Sequence, residues 1–317
     1  MAPLEDCRRV ASVLHRLEWM QAEDIWPHGK RYLWTDAHGV VLSTSMYRAT
    51  GDQEHLDRAE WVVREVERVL GRVRGIRIGE DPDRAGQYYH YLAMWIFALS
   101  RLGRIVPGYR ERAVELVKEI HRPFVVPGRG VWWKMEEDLS RPAEGLGFGA
   151  LDAFDGYIAC SLLDEASLGM EIAELRRLVE ASWRGLRVDQ DLGLGMMLWM
   201  CSIRPDEPWA RHHKRRSLEA LDDLWLEGEG CFCRSTRERG TRLAFTNHGV
   251  SIGLQSVGEW PERVERIRSW SRGHRSHDHY DRDAITHVMA CCAELPGDFI
   301  VRPLARGARD ATGAGAS

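Results

Sequence analysis

Two aspartates, Asp152 and Asp155, stand three positions apart in the stretch "LDAFDGY". If that stretch is helical, both carboxyls lie on one face and repel unless something compensates. Repulsion or burial raises one carboxyl pKa and leaves an acid beside a base. That pairing suits cleavage of a glycosidic bond, where one carboxyl protonates the leaving oxygen and the other activates water or attacks carbon. An inverting reaction, with water between acid and base, would need a wider gap than one helix face offers; for that case the favoured partner of Asp155 is Asp36, with Asp152 as a modulator. Glu136, Glu137 and Asp138 are rivals.

Just before this pair runs "VWWKMEEDLSRPAEGLGFG". Trp132 and Trp133, joined by Trp34 and Tyr89, offer flat apolar faces on which a sugar ring can stack. Lys134 and Arg141 can compensate the aspartates or fix a hydroxyl or carboxylate. Gly145, Gly147 and Gly149 predict a flexible lip. Four histidines, His38, His90, His248 and His287, fall near the starts of helical segments, as do Asp189, Asp191, Asn247, Asp281 and Asp283. Aspartate or asparagine at a helix start is ordinarily an N-cap worth roughly 1 kcal/mol, and Asp191 and Asp283 are read that way. Histidines are not explained by capping; recurring at corresponding places, they suggest a shared cavity. A second chemistry follows from them: His248 and His287 exchanging protons alpha to a carbonyl, as in epimerisation.

The elements that must position these groups are helices. Apolar residues at three and four spacing mark twelve segments, near 4–22, 38–50, 53–72, 87–103, 108–121, 152–167, 171–186, 192–203, 208–226, 247–258, 261–271 and 282–294. Some, such as "QEHLDRAEWVVREVERVL", are amphipathic. Others, such as "YYHYLAMWIFALSRLG" and "LGLGMMLWMCSI", are apolar nearly all round and must be enclosed. Their alternation predicts six inner and six outer helices, an all-α (α/α)6 barrel over 1–304 read as one domain, with a disordered tail at 305–317.

The phrase "YRATGDQEHLDRAEWVVREV" resembles the helix–turn–helix signature of the six-hairpin glycosidase-like superfamily. Its physical content is a tight turn at Gly51–Asp52, Asp52 capping the next helix, and Leu56 and Ala59 packing inward. The resemblance implies a toroid whose inner helices converge on a site, and an activity among glycoside hydrolases, unsaturated-uronyl hydrolases and sugar epimerases. A carbohydrate-active hydrolase acting on a small-molecule or oligosaccharide substrate is the leading expectation.

Composition narrows the alternatives. The net charge is −4 and the apolar fraction 44%, so nucleic acid and anionic membrane are not expected partners. The basic run Arg211–Arg216 reads as a solvated helix face. No apolar run reaches the ~18 residues of a membrane span, and the N-terminal stretch has no signal-peptide pattern. Seven cysteines, with one CxC and one vicinal pair, make a poor disulfide framework and suggest a cytoplasmic protein. No organic cofactor is implied, because phosphate-cradling and dinucleotide motifs are missing. Three other readings stay open: a zinc site on Cys231 and Cys233, a terpene-cyclase-like toroid suggested by "QSVGEW", and a non-catalytic toroid that binds a sugar or a partner. Oligomeric state is not legible in the sequence.

Overall fold

A computed structural model describes residues 2–226, 232–233, 245–273 and 279–304. Among them the helices are α1 (Ala2–Ala22), α2 (Leu33–Thr50), α3 (Gln53–Leu70), α4 (Tyr89–Leu102), α5 (Gly108–Phe124), α6 (Asp152–Leu163), α7 (Gly169–Ser182), α8 (Asp191–Ile203), α9 (Pro208–Leu226), α10 (Phe245–Val257), α11 (Pro261–Gly273) and α12 (Ala284–Glu294). The predicted tail at 305–317 and Cys231 lie outside the described residues.

The even-numbered helices touch in order from α2 to α12, and α12 returns to α2. Helices α3, α5, α7, α9 and α11 each back the even helix before them, and α1 covers α12. The ring is therefore a closed (α/α)6 toroid, and the first helix supplies the outer layer for the last. Residue patterning explains the two layers. In α3 burial falls at Leu56, Ala59, Val62, Val63, Val66 and Leu70, the one apolar stripe of an outer helix. In α2 every residue from Leu33 to Met46 is buried, as an enclosed helix requires.

Glycine sets the tightest contact in the ring. A Cβ on Gly195 of α8 would stand 2.6 Å from the Gly249 carbonyl oxygen, and one on Gly253 would stand 2.1 Å from that of Gly195. Helices α8 and α10 thus meet backbone to backbone, which no larger residue allows.

The signature phrase does what its residues predict. Gly51 is left-handed at φ 74°, and Asp52 accepts from the Glu54 amide. Two of the boundaries that differ from the periodicity have a visible cause. Helix α2 starts at Leu33, because the Asp36 carboxylate reaches back to the Tyr32 amide at 3.2 Å. Helix α6 stops at Leu163, because Asp164 turns the chain by accepting from the Ala166 and Ser167 amides.

Four two-residue strands complete the frame. β1 (Gln87–Tyr88) pairs with β4 (Lys134–Met135), and β2 (Val125–Val126) with β3 (Gly130–Val131), both antiparallel. These pairings tie the Trp132–Trp133 segment to the start of α4.

Candidate functional site

A cavity of about 440 Å³ opens where α4, α6 and α8 begin, with Trp34 of α2 on its wall. Of the residues expected at the site, Asp152, Asp155, Trp34, His90 and Trp133 line it.

Asp152 and Asp155 do share a face of α6, but among the described residues no lysine or arginine compensates them. Lys134 lies outside the lining, with its ammonium 5.2 Å from the Tyr88 ring centroid. Arg141 is also outside it, on the exposed loop 3.9 Å from Glu136. The aspartates respond by keeping their protons. Burial pushes Asp155 up to about 8. Burial, then the neighbouring Asp155, raises Asp152 well above the carboxylate range. Asp152 Oδ1 is buried and makes no hydrogen bond. His90 stands beside it, with Nδ1 3.9 Å from that oxygen. Burial holds His90 down to about 4, so a neutral imidazole faces a protonated acid.

A stack of rings orients His90. Tyr88 lies nearly parallel to Trp133 on one side (13°, centroids 5.0 Å apart) and to His90 on the other (21°, 5.5 Å). The β1–β4 pairing brings these segments together, so His90 of one and Trp133 of the other both line the cavity. Trp132 points elsewhere, against Phe148 at 4.2 Å.

The predicted flexible lip is pinned instead. The Gly149 amide donates to the Val131 carbonyl, and the Trp133 amide to that of Gly147. A Cβ on Gly149 would fall 1.8 Å from Asp152 Oδ2. Glycine here lets the loop backbone lie directly over that carboxyl.

Asp36 does not line the cavity. Its carboxylate accepts from Trp26 Nε1 and Arg31 Nη1, both at 3.1 Å, and from the Tyr32 amide. Burial raises its pKa to about 6, against the pull of Arg31 and those hydrogen bonds. The expected pairing of Asp36 with Asp155 across the barrel is replaced by a buried ion pair at the start of α2.

The remaining histidines and Tyr89 also stand apart from the lining. His38 donates through Nδ1 to the Trp34 carbonyl, and burial lowers it to about 4. His287 donates through Nε2 to the Asp281 carbonyl and packs on Trp19. His248 is buried beside Arg16 and Arg268, with neither ring nitrogen hydrogen-bonded. Tyr89 is buried against Phe124. Asp191 bonds the Leu192 amide and Asn247, while α12 follows Asp283 without a capping bond from that side chain.

Two competing motifs have structural uses. Gln255 of "QSVGEW" donates to the Ala293 carbonyl and accepts from Arg268, joining α10, α11 and α12. Cys233 has its sulfur near the Arg266 carbonyl, and among the described residues no three His, Cys, Asp or Glu side chains converge as metal ligands.

Sequence reasoning missed Met94, Gln190, Leu192, Met196 and Trp199, which line the cavity. Their helices are apolar on every side, so periodicity cannot say which residues face it. Gln190 had a signal, sitting between two aspartates that were read as caps.

No family model matches the chain, and no curated protein matches it. Solved structures do. Cellobiose 2-epimerase from Spirochaeta thermophila aligns with a TM-score of 0.58 over 85% of this chain and 86% of its own, at 13% identity. The GH76A α-1,6-mannanase from Salegentibacter sp. aligns with 0.56 over 85% and 90%, at 12% identity. A sugar epimerase from a ruminal bacterium aligns with 0.53 over 82% and 74%, at 13% identity. The chain shares the (α/α)6 fold of these solved enzymes. Among the described residues no helix is long and apolar enough to cross a membrane.

Proposed function

We propose that the protein is a carbohydrate-active enzyme that cleaves a glycosidic bond by acid–base chemistry at Asp155 and Asp152. The observation that carries this reading is a pair of carboxyls on a cavity wall that, among the described residues, no cation neutralises. A protonated Asp155, half-buried on the cavity wall, can donate to a leaving oxygen near neutral pH. Asp152, the second carboxyl on that wall, acts as the base once it is ionised; His90, 3.9 Å away and held neutral, does not draw that proton. Trp133 and Trp34 give a sugar ring its stacking faces. Among the described residues no lysine or arginine lines the cavity, and Lys134 and Arg141 lie away from it, which favours an uncharged sugar over a uronate.

The fold neighbours include both a mannanase, solved as inactive variants with α-1,6-mannotriose or mannotetrose, and epimerases. Those inactive variants replace two consecutive aspartates. Here the consecutive pair Asp222–Asp223 lies on outer helix α9, where Asp222 bonds Arg263. A hydrolytic site in this chain therefore uses a different spacing. His90 favours the second reading, proton exchange alpha to a carbonyl.

Neutral di- and trisaccharides incubated in ¹⁸O-water and in deuterium oxide separate the readings. Hydrolysis places ¹⁸O in a new reducing end, epimerisation places deuterium on the sugar carbon, and a binding protein does neither. Asp155→Asn should abolish turnover while retaining binding; unchanged turnover would remove Asp155 from the chemistry.

A further inference from the structure

The cavity changes character with depth. At its mouth, where α4, α6 and α8 begin, stand all its polar side chains: His90, Asp152, Asp155 and Gln190. One turn further along α4, about 6 Å, is Met94. One turn beyond Asp155 on α6 is Ala159, and α8 continues through Leu192 and Met196 to Trp199. From Gln190 to Trp199 the helix rises roughly 13 Å, so the inner end is well separated from the acids.

That inner end presents nothing to a hydroxyl. Trp199 spends its indole N–H on the Phe299 carbonyl at 3.0 Å. Trp34 directs its own toward Met289 Sδ at 3.4 Å. Both indoles therefore line the cavity while their donors bond elsewhere. A second pyranose placed there would bury several hydroxyls without partners, which is unfavourable for each of them. Two thioethers and an indole instead suit an aromatic ring, since sulfur and π faces attract one another.

We infer that the inner half of the cavity is a subsite for an apolar ring, so that the ligand is a glycoside carrying an aromatic aglycone. The sugar part of this inference rests on the function proposed above. The ring occupies the Met94–Met196–Trp199 end, and the glycosidic oxygen lies toward Asp155 at the mouth.

Tryptophan fluorescence reports binding directly, because Trp34, Trp133 and Trp199 line the cavity. Titration compares methyl and phenyl β-glucopyranosides, methyl and phenyl α-mannopyranosides, cellobiose and phenol. Each phenyl glycoside should bind at least tenfold more tightly than its methyl partner and more tightly than cellobiose. Met196→Gln should reduce the phenyl preference to within threefold. Ala159→Leu, which fills the same space with an apolar group, should weaken the phenyl series and leave the methyl series unchanged. Circular dichroism and thermal midpoints establish that both variants fold. Equal affinities for the two series, tighter binding of cellobiose, or no saturable binding would overturn the inference. Phenol binding as tightly as the phenyl glycosides would keep the ring subsite and sink the sugar reading instead.

Discussion

The starts of α2 and α6 each carry an aspartate at the fourth helical position, and the two stand in opposite surroundings. Asp36 has Arg31, Trp26 and the Tyr32 amide around its carboxylate and is sealed from the cavity. Asp155 has no cation, and its side chain borders the cavity. The same residue type at the same kind of position is a staple in one case and a candidate acid in the other. What separates them is the neighbour supplied by the preceding loop. The chain before α2 delivers an arginine that is 4% exposed, whereas the chain before α6 delivers the bare backbone of Gly149.

Replacing each aspartate by asparagine breaks the comparison most sharply. Asp155→Asn should lower turnover by roughly 10²–10⁴-fold, the range for loss of a general acid, with the fold intact. Asp36→Asn leaves Arg31 charged and buried, so it should lose about 3–5 kcal/mol of stability in chemical denaturation. If the asparagine at 36 instead removed activity from a fully stable protein, the two roles would be reversed.

Gly149→Ala forces a methyl group into the Asp152 carboxyl. Overpacking of this kind costs about 1–3 kcal/mol, and activity should fall because Asp152 must move. Full activity and stability would show that the loop does not rest on that carboxyl.

The acids and the histidines give opposite pH slopes. Asp155, raised from 3.8 to about 8, keeps its proton when folded where the unfolded chain has lost it. Its contribution is full below about pH 3.8 and is lost as pH rises through about 8. His38 and His90, lowered from 6.5 to about 4, contribute fully above 6.5 and lose that contribution as pH falls through about 4. Between pH 6.5 and 8 the carboxyls dominate, so wild-type stability should decline by on the order of 1 kcal/mol, allowing for partial exposure of Asp155. Thermal midpoints of Asp155→Asn should decline less across that interval; identical slopes would mean that Asp155 is ionised in the fold.

The smallest effect belongs to Lys134 and Arg141. Both lie outside the cavity lining, so alanine at either position should change stability and turnover little, within about 0.5 kcal/mol. A large loss at Lys134 would bring it back to the site.

The helices were legible because burial leaves periodic traces. The stripe of α3 and the all-round apolarity of α2 and α4 are local, and the Gly51–Asp52 turn carries its geometry in its residue types. Half of the candidate site was legible too. Asp152, Asp155, His90, Trp34 and Trp133 stood out as polar or aromatic groups at helix starts and in a loop. Their companions did not. Met94, Met196 and Trp199 are indistinguishable by type from Leu92, Met200 and Phe97, which are buried core residues.

Sequence alone determined a ring of enclosed and amphipathic helices, because each helix must bury the apolar surface written along it. Only the tertiary structure decided which acids stay unpartnered, because an aspartate's charge state depends on groups distant in the chain. Among the described residues Arg31 and Trp26 reach Asp36 and no cation reaches Asp155, and that contrast in contacts makes one a strut and the other a candidate proton donor.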